Sequence, residues 1–346
     1  MKNRLVLSVG AYIARKCSSV FTRQFLVKFH RLLRNLPAQA RVIHVMARRP
    51  YSDLVKKHPF ILFKHLELTH LALGISPSQR AQCISSHYRL LKQKFPRKIL
   101  HQTISGSVPL FTADRHGSTI SIEMHTCNPF YLEGELSLNF LLDGQAIFNL
   151  SCTVVPGRIF SSRAEEVILI SRLQGVKGLQ PQVQLAAQKF HDVSPAAMLL
   201  AAVEGIALAL DIDQMVAVGA RNHPSSPKMT VMGIEDSLRR TYDAFFLSVG
   251  ALQQDTGNYS LPVPLPEKPL ELVKRNNRLR TRKRRAFKRH IADCAYAVVA
   301  GRCETESAAP IFASDFFATS EISPQTNVHM RPSSAEEPSI PAFPNL

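Results

Sequence analysis

Two runs of cations carry the strongest chemical signal in this chain of 346 residues. Residues 1–52 hold eleven Lys or Arg and no acid, the first carboxylate being Asp53, and residues 274–289 hold ten more with no acid. The remainder sets 22 basic against 26 acidic residues, so the whole excess of a +17 chain sits in the two blocks. A small substrate does not need so many like charges. Cations concentrated on a near-neutral body point instead to an extended anion, either a phospholipid surface or a nucleic acid. In the second block the candidate contacts are Arg282, Lys283, Arg284, Arg285, Lys288 and Arg289. Phe287 is its one clear aromatic residue, so a base-stacking platform is not expected, and nucleic-acid binding there would be weak and independent of sequence.

Other reactive side chains are scattered. Cys17, Cys83, Cys127, Cys152, Cys294 and Cys303 show neither a C-x-x-C pair nor regular spacing, which gives no zinc site and no disulfide framework. His58, His65 and His70 are the closest histidine group, yet no companion ligand stands at metal-binding spacing, and no metal is expected. Glu204 is the single charge in the apolar run Ala196 to Leu210. In a buried helix it is either an anchored structural carboxylate or a functional acid.

The elements that must position these residues form a mixed α/β chain. Val9, Ile13, Cys17, Phe21, Phe25, Phe29 and Leu33 recur every three to four residues between cations, which predicts a basic amphipathic helix suited to a membrane interface or to packing on the body. Lys2 and Arg4 before the apolar Leu5 to Ala14 resemble an export signal, although Tyr12, Arg15 and Lys16 spoil its cleavage site. Tyr51 to Phe95 reads as helices, with Ser76-Pro77 opening the second, and residues 99–125 read as short strands around Asp114-Arg115-His116-Gly117. From Glu135 to Val155 a hairpin is expected. Parity argues against a two-residue Asp143-Gly144 turn there and favours a three-residue loop, Leu142-Asp143-Gly144, with Phe140 by Ala146, Leu138 by Phe148 and Leu136 by Leu150. Ser137, Asn139, Asn149 and Ser151 then share the other face, lining a groove or meeting water. Val167 to Ile170 is a strand, Pro181 to Phe190 and Pro195 to Leu210 are helices, and Met215 to Gly219 is a second strand. Val263-Pro264-Leu265-Pro266 reads as a stiff linker, and the Ser/Pro/Glu-rich end as disordered. The expected organisation is a basic helical region over 1–50, an α/β domain over 51–301 and a tail over 302–346. No stretch reaches the roughly 20 apolar residues that a membrane-spanning helix needs.

The strand leading into Leu173-Gln174-Gly175, followed by a turn, helix and strand, resembles the VirK/YbjX family of enterobacterial proteins. Glu133-Gly134-Glu135-Leu136-Ser137-Leu138, Tyr242-Asp243-Ala244-Phe245-Phe246 and the basic run Arg282 to Arg289 resemble further family segments, over roughly residues 50–300. Phe246 stands where the family has Trp, and Asp192-Val193-Ser194-Pro195 replaces a more basic turn. The resemblance implies a virulence and envelope-adaptation protein, linked to antimicrobial peptide resistance, with no assigned activity. It would sit in the cytoplasm, peripheral to the inner membrane, with an anionic membrane surface or an envelope protein as partner; an atypical signal would instead make it periplasmic. The order of elements is also similar to the GCN5-related acyltransferase fold. That likeness implies a transferase using acyl-CoA on an envelope component, with Arg172, Gln174, Gly175 and Gly178 cradling the pyrophosphate, Tyr242 as general acid and Glu135 as base. Lys177 stands where that pattern has glycine or alanine. Outside this reading no cofactor is expected.

Overall fold

The computed structural model describes residues 30–126, 133–224 and 239–302. Most of the basic N-terminal segment and nearly all of the Pro-rich tail therefore lie outside the described residues. Helices α1 (Leu36–Met46), α2 (Tyr51–Lys57), α3 (Pro77–Lys94) and α4 (Arg97–Ser105), with a 3-10 helix over Pro59–Leu66, precede the first strands. Strands β1 (Val108–Arg115), β2 (Ser118–Thr126), β3 (Leu136–Leu142), β4 (Gln145–Pro156) and β5 (Glu166–Gly175) follow. Then come α5 (Gln180–Lys189), α6 (Pro195–Ala209), β6 (Gln214–Ala217), a π-turn over Arg239–Asp243, α7 (Ala244–Ser248), β7 (Leu252–Gln253), β8 (Tyr259–Pro262) and α8 (Arg278–Val299). The eight strands form one mixed sheet in the order β1-β2-β3-β4-β5-β6-β8-β7. Only β5 and β6 pair in parallel, across the α5–α6 crossover.

Local chemistry accounts for the helix starts. Ser76 caps α3 reciprocally with Gln79, each side chain accepting the other's backbone N–H at 3.2 and 2.8 Å, and Pro77 fills the first helical position. Ser194 opens α6 with a one-sided cap, accepting the Ala197 amide at 3.3 Å, and Pro195 again fills the first helical position. Residues 97–105 form α4 rather than the strand expected there, because Ile99, Leu100 and Thr103 fall on one helical face and are buried. The hairpin also departs from expectation. Leu142 pairs with Gln145 around the two-residue turn Asp143-Gly144, whose φ values of 50° and 80° are the left-handed pair that such a turn requires. Ile147 bulges out of β4 and resets the parity that had seemed to forbid this turn. Phe140, Leu138 and Leu136 consequently oppose Phe148, Leu150 and Cys152, two residues beyond the partners expected from sequence.

The sheet buries one whole face and half of the other. Leu136, Leu138, Phe140, Leu150, Val154, Ile168 and Ile170 share a core with α6 and α8. On the opposite face, Val155, Val167, Leu169, Val216 and Val218 meet Leu71, Ala72 and Cys83 beneath α3. The Val263 to Pro266 segment is not a detached linker. The Val263 amide bonds Asp213 O at 2.8 Å and the Leu265 amide bonds Glu204 Oε1 at 2.7 Å, so the lone charge of α6 serves as an anchor whose pKa burial raises.

Helices α6 and α8 cross at Gly205, where a Cβ would lie 2.1 Å from Ala292 O and 3.0 Å from Ala295 Cβ. Gly205→Ala is expected to force the helices apart and to lower stability by about 1–3 kcal/mol, read as a lower urea midpoint at unchanged slope.

Candidate functional site

The face of the sheet beneath α3 carries a continuous run of polar side chains, closed at one end and more open at the other. The closed end is built on Glu135, just before β3. Its Oε1 lies 3.0 Å from Lys64 Nζ and 3.3 Å from His70 Nε2, and its Oε2 accepts from Tyr88 OH at 2.7 Å. Lys64 Nζ also donates to Gly134 O at 2.9 Å, and the Glu135 amide donates to Thr153 Oγ1 at 3.0 Å. Lys64, His70 and Glu135 are all at most 1% exposed. Burial alone would raise the Glu135 pKa, but the Lys64 cation and the His70 hydrogen bond outweigh it and hold the carboxyl well below its ordinary range. Beside this cluster, His87 Nδ1 accepts from the Val154 amide at 3.0 Å, and buried Arg80 donates to His70 O and Leu68 O at 3.0 and 2.5 Å. Glu135 is thus a sealed carboxylate whose ionised form its partners favour, apart from the other residues expected to do chemistry.

At the more open end the hairpin's polar residues bond to one another. Asn149 Nδ2 donates to Ser137 Oγ at 2.5 Å and to Asn139 Oδ1 at 2.7 Å, while Ser151 Oγ donates to Asn149 Oδ1 at 3.3 Å. Asn139 Nδ2 lies 2.9 Å from His125 Nε2, and His125 Nδ1 lies 2.8 Å from Thr126 O. An amide donor at Nε2 and a carbonyl at Nδ1 fix the tautomer with its proton on Nδ1.

Strand β5 then changes partner. A bulge at Ser171 lets Ser151 pair with Arg172 while Cys152 pairs with Ile170, and parallel pairing with β6 covers only Ile168 to Ile170. Beyond that point the Leu173 amide donates instead to Tyr242 OH at 3.3 Å. The two strands part, and the phenol stands in the gap. His223 packs 4.8 Å from the Tyr242 ring, and Arg172 Nη1 lies 3.7 Å from Glu133 Oε1. Burial pushes the Tyr242 pKa up to about 12, and burial followed by the Arg172 charge takes that of His223 down to about 4. Near neutral pH both groups are therefore uncharged, the phenol keeping its proton.

The sequence-expected cradle follows directly. Gly175 ends β5 against the Phe148 ring, where a Cβ would lie 3.3 Å from Cε2, and Gly178 has φ +83°, the conformation that favours glycine, just before α5. Arg172 and Tyr242 meet at one site and Gln174 continues the same strand, while Glu135 belongs to the Lys64 cluster. The basic block is less free than its composition suggests. Arg280 and Arg284 pair with Asp192 at 2.9 and 3.9 Å, and Arg285 and Arg289 pair with Glu267 at 3.5 and 2.7 Å. Of the six block residues named from sequence, Arg282, Lys283 and Arg289 are the exposed ones. Sequence reading missed Lys64, Tyr88, His87 and His223, because their convergence depends on tertiary contacts that no local pattern marks. Among the described residues, no cluster of His, Cys, Asp or Glu is placed to hold a metal ion, and no helix is long and apolar enough to cross a membrane.

Lys64→Met would leave the Glu135 charge buried without its main partner, and is expected to cost roughly 3–5 kcal/mol in chemical denaturation. Burial takes His65, His87 and His223 each down to about 4. They stay neutral in the fold, whereas the unfolded chain binds protons below about pH 6.5, so their contribution is present above that pH and is lost as pH falls toward 4. Unfolding free energy should drop between pH 7 and 5 by on the order of 2 kcal/mol for each ring, and His87→Asn should make the profile shallower. A flat profile would contradict the burial of neutral imidazoles.

Comparison with known proteins places the chain. It is 22% identical over 224 residues to the uncharacterized protein YbjX of Escherichia coli strain K12, spanning 63% of this chain and 66% of that protein. No solved structure matches significantly. The profile of the family described as protein of unknown function (DUF535) matches residues 15–294, and the chain therefore belongs to that family, the VirK/YbjX group that its strand, Leu-Gln-Gly turn and aromatic helix resemble.

Proposed function

We propose that this protein is an acyl-CoA-dependent transferase whose site is the gap between β5 and β6. The observation that supports this reading is the Leu173 amide, which, on the side of β5 that has lost its strand partner, donates to the Tyr242 hydroxyl. A backbone donor freed from strand pairing can polarise an acyl carbonyl, and a phenol that keeps its proton near neutral pH can give it to a departing thiolate. The Ser171 bulge and the early end of β6 pairing make room for both. Coenzyme A, when bound, would supply the activated acyl thioester; Arg172, Gln174, Gly175, Gly178 and the start of α5 would hold its pyrophosphate, since a helix N-terminus and a left-handed glycine together present backbone N–H groups to an anion. Glu135, enclosed and ionised, anchors the fold beside this site. The acceptor would be an envelope component, in keeping with a role in envelope adaptation and virulence at the inner membrane.

A second reading, attachment to an anionic membrane surface through α8, is favoured by the exposure of Arg282 and Lys283. The carboxylates tied to Arg280, Arg284, Arg285 and Arg289 offset much of the charge available for it. The same pairing disfavours nucleic-acid binding at this block.

Coenzyme A is expected to raise the melting temperature of the purified protein, by the equivalent of roughly 2.7 kcal/mol at 100 times its dissociation constant. Tyr242→Phe should keep that shift and lose acyl transfer by about 10²–10⁴-fold. No shift with coenzyme A or acetyl-CoA would overturn the transferase reading.

A further inference from the structure

A cavity with a cationic rim lies away from the β5 gap, between α1 and α3, with a volume of about 750 Å³. Small-molecule sites fall in the range of roughly 300–1,000 Å³. Arg41 on α1 and Arg48, just past the end of that helix and 2.7 Å from His44 Nε2, stand on one wall, Arg89 and Lys92 one turn apart on the other, and all four cations are exposed at the rim. Among the described residues no carboxylate lines the cavity. Nearby cations do find acids: Lys56 pairs with Asp53 at 2.7 Å and Lys94 with Asp211 at 2.5 Å. Among the described residues no ion pair is formed by the four rim cations, although Arg89 lies within electrostatic reach of Glu166. Two helices that turn unneutralised cations toward each other repel, and an anion between them removes the repulsion.

The floor makes the site more specific than a charged groove. Tyr51 OH donates to Tyr88 O at 2.6 Å and Tyr88 OH donates to Glu135, so both phenols are engaged. Ser85 is 2% exposed, lines the cavity, and its Oγ has no hydrogen-bond partner. A buried hydroxyl without a partner is rare in a folded protein and costs free energy until a ligand or water meets it.

We propose that this cavity binds a phosphorylated ligand, with phosphate oxygens bridged between Arg41 or Arg48 and Arg89 and reached from below by the Ser85 hydroxyl. Guanidinium groups present the paired donors that phosphate oxygens accept, and opposed arginines hold a phosphate from two sides. The phosphate comes either from a free molecule or from a lipid headgroup.

Two probes separate these sources: inorganic pyrophosphate, followed by titration calorimetry, and phosphatidylcholine vesicles with and without phosphatidic acid, followed by co-sedimentation. The wild-type protein should bind at least one probe, and the double variant R41Q/R89Q should bind it at least tenfold more weakly. These side chains are exposed, so its melting temperature should stay near that of the wild type; should it fail to fold, S85A/K92Q replaces it. Two controls assign the binding. Gly178→Val alters the proposed coenzyme A cradle and R282Q/K288Q alters α8, and a loss of affinity in either as large as that of R41Q/R89Q would move the binding to that site and overturn the proposal. Pyrophosphate binding identifies a free ligand, whereas binding only to vesicles with phosphatidic acid identifies a headgroup. No binding of either probe, a loss smaller than tenfold, or a loss that follows α8 rather than the cavity would overturn the proposal.

Discussion

The way α3 and the 3-10 segment sit on the sheet depends on one ion pair that water does not reach. Removing a carboxylate and an ammonium from water costs several kcal/mol for each ion, and the pair is tolerated only when the remaining lone pairs and protons are also satisfied. Here Lys64 meets both Glu135 and Gly134 O, and Tyr88 takes the second carboxylate oxygen. The residues come from the 3-10 segment, from α3 and from the start of β3. These three pieces must therefore arrive together, and a shift of α3 by one turn would leave one buried carboxylate oxygen of Glu135 without its donor. The pair adds little to net stability compared with apolar packing. Its effect is to allow one placement of the helices over the sheet.

That placement divides the polar face into two regions with different consequences. Beneath α3 the valines of β4, β5 and β6 are covered, and the network around Glu135 is closed. Farther along, β5 loses its parallel partner, and a backbone donor that would otherwise have joined a strand ladder is met by a side chain. The bulge at Ser171 belongs to the same event, since one extra residue bends the strand and turns Arg172 to face Ser151. Irregularity at the edge of regular pairing is a common way for a sheet to present backbone polarity to a ligand.

Sequence reading recovered the parts of this fold that are decided locally. Ser76-Pro77 and Ser194-Pro195 start helices because capping needs only neighbours, and the β5-helix-helix-β6 order followed from apolar runs. It failed where a single residue changes parity. Ile147 is apolar like its neighbours, so nothing in the pattern marks it as the bulge that makes a two-residue turn compatible with a one-sided core. Tyr242 and Arg172 could be placed near the β5 turn, whereas the enclosure of Glu135 could not be foreseen, because Lys64 lies 71 residues before it in the chain. Arg41 and Arg48 were legible only as members of a cationic block. Whether such charges face solvent or one another depends on how α1 meets α3, and periodicity within either helix does not contain that information.

The crossing of α6 and α8 at Gly205 has a further consequence for biosynthesis. Helix α6 is apolar on nearly every side, and its contact with α8 is the most extensive helix pairing in the molecule. Yet α8 begins 69 residues after α6 ends. At a translation rate of about 5–20 residues per second, α6 waits roughly 3–14 seconds on the ribosome before synthesis of its partner even begins. Throughout that interval the sheet carries an apolar helix with an open flank, and the nascent chain presents the kind of surface that molecular chaperones bind.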